Sequence, residues 1–198
     1  MIHFINDSSL EPFVELKNAY LRAVSENQRL IEAISISSFN KSTNEVNSRY
    51  VNLKFIDNDK FIFFTNYNSP KSIEFNSHDQ ISAILYWQTI NIQIRIKGHI
   101  SKTSKKYNNA YFAKRSSDKN ALAISSDQSK EIESYDDVRK KYYHIRKNND
   151  LSKCPDYWGG FTISPYYFEF WEGHKSRLNK RIAYSLNSEN WTSLILEP

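Results

Sequence analysis

Two spacings of apolar residues alternate along this chain, and each change of spacing marks a new element. Between residues 10 and 25, Phe13, Leu16, Tyr20 and Val24 recur at helical intervals, and Pro12 suits a first helical turn, so the spacing predicts a helix there. Residues 30–39 switch to a strand-like pattern and run into a polar turn at 39–44. Two further strands are predicted at 50–56 and 61–66, joined by a turn at 57–60. Ser69 and Pro70 offer an N-cap and a first helical residue for a short helix through Phe75. A strand follows at 81–87. The clearest alternation lies at 90–100, where Ile90, Ile92, Ile94 and Ile96 interleave with Asn91, Gln93, Arg95 and Lys97. Residues 103–115 and 129–147 read as helical or irregular, the second charged enough to be a solvated surface helix. Strands are predicted again at 161–171, 182–186 and 191–196. Successive strands with helices at the margins predict an α+β fold, mainly antiparallel, barrel-like, in one domain over residues 1–198.

Composition narrows the partners. At 39% hydrophobic and 25% charged, the chain can fold around a core. Aromatics at 15% exceed what a core needs, and suit a flat ligand or a dimer interface. A net charge of +5 favours an anionic partner, although a general richness in Asn, Lys, Ile and Ser would supply lysines without any function. Nucleic acid is one such anion, but no nucleic-acid motif is present. Cys154 is the lone cysteine, which fits a reducing compartment. No apolar run approaches the ~20 residues of a membrane span, and the N-terminus lacks a signal-peptide pattern, so the expected location is the cytoplasm.

The four glycines, Gly98, Gly159, Gly160 and Gly173, form neither a dinucleotide fingerprint nor a P-loop. A phosphate would need side chains and a helix start instead. Phe64-Thr-Asn-Tyr-Asn-Ser-Pro-Lys71 offers both, since a strand ends in small polar residues and meets a helix carrying Lys71. Thr65, Ser69 and Lys71 could converge there on one anion, although an ordinary capped helix explains the residues equally well. Arg49 and Lys54 lie five apart on a predicted strand, hence on opposite faces. Arg177 and Arg181 lie four apart, and on a helix or turn would share a side and could clamp an anion. Taken alone, both pairs read more simply as surface cations. Five scattered histidines and one cysteine predict no metal site and no nucleophilic triad. An organic redox cofactor held by cations and rings fits better.

Taken in order, these motifs resemble pyridoxamine 5'-phosphate oxidases. The resemblance runs from about residue 10 to the C-terminus. It rests on Arg49…Lys54, Phe64-Thr-Asn, Trp87…Gln93…Gly98, Tyr111-Phe112…Arg115, Gln128-Ser129, Tyr157-Trp-Gly-Gly-Phe161, Glu169-Phe-Trp-Glu-Gly173 and Arg177-Leu…Arg181. It implies a Greek-key split β-barrel with peripheral helices, and a homodimer holding flavin mononucleotide (FMN) at its interface. By matching position, FMN would be held by Arg49, Lys54, Phe64, Thr65, Ser69, Lys71, Gln93, Gln128, Ser129, Trp171 and Arg181. The substrate phosphate would meet Lys54, Tyr111, Arg115 and Lys119, and Arg177 with Asn179 would lie at the reacting ring. The implied reaction oxidises the 4' amine or alcohol of pyridoxamine or pyridoxine 5'-phosphate, with dioxygen as final acceptor and hydrogen peroxide as product.

Four positions depart from that pattern. Pro70 stands where the family has an arginine, Lys119 where it has a serine, Asn179 where it has a histidine, and Ile92 where it has a cation beside the flavin-facing glutamine. Most of the implied flavin side is intact, while the substrate side is altered. The alternatives are therefore an FMN oxidase recruited to another anionic or aromatic substrate, as in phenazine-type secondary metabolism, or a flavin-binding protein without turnover.

Overall fold

The computed structural model describes residues 1–198. Ten strands form one sheet: β1 (His3–Asp7), β2 (Ala33–Asn40), β3 (Glu45–Asn52), β4 (Phe55–Asn58), β5 (Lys60–Asn66), β6 (Gln80–Trp87), β7 (Ile92–Lys102), β8 (Trp158–Glu172), β9 (Lys180–Asn187) and β10 (Asn190–Leu196). Five helices flank them: α1 (Glu11–Ser25), α2 (Pro70–Ser77), α3 (Lys105–Lys114), α4 (Ser117–Ser125) and α5 (Tyr135–Asn148). The main path is β1-β4-β5-β8-β7-β6-β2-β3, with β9 and β10 branching from β8. Every pairing is antiparallel except that of β1 with β4. The mainly antiparallel α+β fold expected from the sequence is the one observed.

The branch explains how the sheet divides. One edge of β8 follows β7 almost throughout. Its other edge pairs with β5 over residues 158–163 and with β9 over residues 167–172. Pro165, which has no N–H to give a neighbour, sits in the gap between the two partners. Opposite it, β7 bulges between Lys97 and Gly98. A Cβ at Gly98 would lie 2.7 Å from Ile163 Cγ2 and 2.8 Å from the Ser164 carbonyl oxygen, so only glycine lets the strands bend past each other here.

The core follows the predicted alternation. Ile92, Ile94 and Ile96 are buried, while Arg95 and Lys97 face out. Phe13, Leu16 and Tyr20 of α1 pack into the buried core, and Phe13 meets Phe61 and Phe168 edge-on. Several boundaries differ from expectation. Leu30 belongs to a turn with φ +50°, so β2 begins only at Ala33. The predicted strand over 50–56 is interrupted at Leu53 and Lys54, dividing it between β3 and β4. Ile90 lies in a short 3₁₀ turn before β7. Val24 is 41% exposed because the buried face of α1 runs through Ala23 instead. The segments β1 and α4 were not anticipated. No helix is long and apolar enough to cross a membrane.

Candidate active site

The end of β5 and the start of α2 fold Thr65, Ser69 and Lys71 against one another, as the polar run suggested. Lys71 Nζ donates to Thr65 Oγ1 and to Ser69 Oγ, each at 3.1 Å. Ser69 does not cap α2 through its side chain; its hydroxyl turns back to donate to the Asn66 carbonyl at 2.7 Å. Lys71 is only 8% exposed and has no carboxylate partner. Burial, reinforced by the nearby Arg49 charge and partly offset by Glu74, pulls its pKa down to about 8. A buried ammonium with only hydroxyls for company is poised to receive an anion.

Arg49 faces the same helix but is already paired. Its Nη2 lies 2.8 Å from Glu74 Oε2, and its Nη1 contacts Ser38 Oγ at 2.5 Å. Asn47 Nδ2 donates to Glu74 Oε1 at 2.9 Å, and Ser38 donates to the same carboxylate. Glu74, not singled out in the sequence, is thus the centre of this buried network. The signal available was its place three residues after Lys71, on the same side of α2.

Beyond Thr65 a cavity of about 310 Å³ opens between β5, α3, α4 and the start of β8. Phe64, Thr65, Arg115, Lys119, Gln128 and Trp158 line it, and no carboxylate does. Gln128 Oε1 accepts from Thr65 Oγ1 at 3.2 Å and from the Asn66 N–H at 3.3 Å, tying the cavity to the Lys71 cluster. Phe64 stacks against both Tyr111 (4.0 Å between ring centres) and Trp158 (5.2 Å), which lie 6.3 Å from each other. Arg115 lies over Trp158 at 4.4 Å, with its Nη1 buried and without a partner. Burial pulls its guanidinium below its ordinary value, and burial likewise raises the Tyr111 phenol. Lys119 and Ser129 are exposed, Ser129 with φ +68°. Lys54 sits at the break between β3 and β4, its Nζ 3.3 Å from His3 Nε2. A larger open groove of about 700 Å³ lies beside Cys154, but its two lysines face two aspartates, and Lys105 is bound to Asp156 at 2.7 Å.

What holds α3 in place is a second, fully paired network. Asn108 Oδ1 accepts from the Gly160 N–H at 2.9 Å, and its Nδ2 donates to Tyr67 Oη at 3.0 Å. Tyr67 in turn donates to the Gly160 carbonyl at 3.0 Å. A Cβ at Gly159 would fall 2.1 Å from Tyr67 Oη and 2.3 Å from Asn108 Nδ2. Gly159→Ala is therefore expected to break this network and loosen the helix that carries Tyr111 and Arg115. A loss of about 2–4 kcal/mol, or very roughly 5–15 °C in melting temperature, should appear in thermal unfolding. An unchanged melting temperature would show that the network is not needed for stability.

The remaining predicted residues lie elsewhere. Gln93, Trp171 and Arg181 form one row across β7, β8 and β9. Arg177 and Arg181 do not form the expected clamp, because no helix spans them: Arg177 is exposed on a turn with φ +62°, and Arg181 belongs to β9. Arg181 instead grips the protein's own Glu169, with Nε at 2.9 Å and Nη2 at 2.8 Å from Oε1. Arg95 and Tyr167 complete the shell around that carboxylate at 2.9 and 3.0 Å. Burial alone would raise the Glu169 carboxyl, but hydrogen bonds from Arg181 and Tyr167 and the charges of both arginines hold it below the usual range. Asn179 Oδ1 accepts from the His174 N–H at 3.0 Å, fixing the turn that presents Arg177.

Two groups of predicted site residues therefore occupy opposite ends of β8. Thr65 pairs with Gly159 and Arg181 with Trp171. Those two β8 positions are separated by roughly 40 Å of chain at ~3.3 Å per residue.

Comparison with known proteins places this arrangement. Residues 158–198 match the family model described as the pyridoxine 5'-phosphate oxidase C-terminal dimerisation region. The chain is 32% identical, over 97% of its length and 90% of the relative's, to pyridoxine/pyridoxamine 5'-phosphate oxidase 1 of Hydrogenovibrio crunogenus. It is 38% identical to the pyridoxine/pyridoxamine 5'-phosphate oxidase of Cytophaga hutchinsonii over 72% of this chain and 67% of that one. Among solved structures, PhzG from Burkholderia lata 383, in complex with tetrahydrophenazine-1-carboxylic acid, superposes with a TM-score of 0.89 at 25% identity, covering 94% of this chain and 92% of that one. A pyridoxamine 5'-phosphate oxidase-related, FMN-binding protein of Nostoc punctiforme shares the fold with a TM-score of 0.76 at 13% identity, covering 91% and 96% of the two chains. By sequence over nearly its full length, this chain belongs to the pyridoxine/pyridoxamine 5'-phosphate oxidase family of FMN-dependent oxidoreductases.

Proposed function

We propose that this protein is a homodimeric FMN-dependent oxidase acting on pyridoxamine or pyridoxine 5'-phosphate. The observation that carries the reading is the carboxylate-free cavity at Arg115, joined through Gln128 and Thr65 to the buried, unpaired ammonium of Lys71. Two separate phosphates need two separate sets of cations, and this arrangement supplies them side by side.

The residues fit FMN on the chemistry of the donor set. Lys71, Thr65 and Ser69 present an ammonium and two hydroxyls to one phosphate, with no carboxylate in contact with Lys71. Arg49 adds charge nearby while staying fixed by Glu74. In the dimer, Gln93, Trp171 and Arg181 of one copy face the Lys71 cluster of the other. FMN held there would supply a two-electron acceptor for oxidation at the substrate's 4' carbon, with dioxygen as the final acceptor and hydrogen peroxide as the product. The protein orients the reactants: Arg115 and Tyr111 anchor the substrate phosphate, the rings of Phe64 and Trp158 exclude water, and Arg177 of the second copy covers the substrate ring.

A second reading, oxidation of an aromatic carboxylate, is favoured by the overall similarity to the Burkholderia lata PhzG complex. Anaerobic mixing of FMN-loaded protein with pyridoxamine 5'-phosphate separates the two. Bleaching of the visible flavin band, reversed by air, is expected. A band that persists with pyridoxamine 5'-phosphate but bleaches with tetrahydrophenazine-1-carboxylate would overturn the first reading in favour of the second.

A further inference from the structure

Lys119 is the one cation at the cavity that has nothing to do within the chain. It is exposed at the mouth of the cavity, in the first turn of α4, and its Nζ makes no ion pair or hydrogen bond. The neighbouring Asp118 would be its obvious partner. That carboxylate is turned away, held by Arg146 at 2.7 Å and Tyr142 at 3.2 Å, both on α5. Arg115 leaves Nη1 unpartnered, and its Nη2 reaches only the Lys119 carbonyl at 3.5 Å. Two positive side chains thus border one volume from which every carboxylate is excluded.

The charge needed to fill such a volume depends on the ligand. A carboxylate carries one charge on two coplanar oxygens, and a single guanidinium fork satisfies it. A phosphomonoester carries about −1.5 to −2 near neutral pH on three oxygens that do not share a plane. Arg115 alone leaves part of that charge unmatched, and among the residues that line the cavity only Lys119 can supply a second cation.

We infer that Lys119 is a specificity-determining residue, which makes this cavity select a doubly charged, phosphate-bearing aromatic substrate over a singly charged carboxylate. The inference rests on the proposal that this cavity is the substrate site. It assigns to α5 a supporting part, because Arg146 and Tyr142 keep Asp118 from neutralising Lys119.

The test uses the FMN-loaded protein and two ligands that bind without turnover. One is 4-deoxypyridoxine 5'-phosphate, which lacks the oxidisable 4' heteroatom; the other is phenazine-1-carboxylate. Dissociation constants are measured by titration calorimetry for the wild type, Lys119→Met and Lys119→Arg. Lys119→Met is expected to weaken the phosphate ligand by about tenfold or more, the scale of one charge-assisted contact. The carboxylate should change by less than about threefold, and Lys119→Arg should restore most of the lost affinity. Equal losses for both ligands, or no loss for the phosphate, would overturn the assignment. Flavin reduction by pyridoxamine 5'-phosphate is read separately. If the wild type is reduced while Lys119→Met keeps its phosphate affinity, the role of Lys119 falls and the oxidase stands. If the phosphate preference depends on Lys119 but no reduction occurs, the selectivity stands and the oxidase falls.

Discussion

A heterodimer of one Arg115→Ala chain and one Arg177→Ala chain is expected to turn over at about half the wild-type rate, although each variant is inactive as a homodimer. The expectation follows from β8. Arg115 stands beside the Trp158 end of that strand, and Arg177 follows its Glu172 end. Within one chain the two arginines lie at opposite ends of this 15-residue strand. On the proposed two-fold dimer, each site would take Arg115 from one copy and Arg177 from the other. The heterodimer then carries one site with both arginines intact and one with neither. Co-expression with two affinity tags and sequential purification isolates it. Each homodimer should lose about two orders of magnitude in kcat/KM, the upper range for a lost charge-assisted contact. Arg177→Ala should still bind FMN, because the proposed contact of Arg177 is with the substrate ring, while the FMN phosphate is assigned to Lys71, Thr65 and Ser69. Recovery no greater than the sum of the two homodimers would mean that each site is built within a single chain.

Lys71→Met is expected to weaken FMN by about 10- to 100-fold while leaving riboflavin, which lacks the phosphate, unaffected. Pro70 supplies no charge, and the Arg49 guanidinium is shared with Glu74, so Lys71 is the one buried cation of this cluster without a carboxylate partner. Its pKa near 8 gives the expectation a pH signature. An arriving phosphate favours the charged ammonium and raises that pKa. Affinity should therefore be fully developed below about pH 8 and fall as pH rises through it, until the raised value of the bound form is passed. Arg49 and Glu74 are the other charged groups facing Lys71. Below about pH 6 the phosphate itself gains a proton and affinity should fall again. Flavin fluorescence titrations across pH measure this directly. A Lys71→Met protein that binds FMN like the wild type would refute the assignment, as would a wild-type profile flat between pH 7 and 9.

The strands were legible where one face is buried and the other is wet, as in Ile92, Ile94 and Ile96. They were not legible where a strand buries little. β1 exposes four of its five residues, and only Asn120 and Ala121 of α4 are fully covered, so neither leaves an apolar stripe to read. Leu30 and Val24 misled for the opposite reason, being apolar residues that the fold leaves at the surface. The site was legible as far as local order carries it. Thr65, Ser69 and Lys71 lie within seven residues and do meet. Glu169 could not be found that way, because it acts on an arginine 12 positions distant along the chain, and Glu74 was signalled only by its spacing from Lys71, its arginine partner lying 25 positions away. Spacing placed Arg177 and Arg181 together, but a strand start between them separates their directions.

The two buried carboxylates also govern what sequence drift can remove. Replacing Arg49 strands Glu74 without its only paired cation, and replacing Arg181 leaves Glu169 with Arg95 alone, a penalty paid in folding whether or not flavin is ever bound. Selection for a stable chain alone would keep those arginines in a gene copy that had lost its activity. Lys71, Arg115, Lys119 and Arg177 have no acidic partner, and only a ligand gives a reason to retain their charge. Among descendants of this chain, those four positions would be the first to decay once catalysis was no longer under selection, while Arg49 and Arg181 persisted as relics.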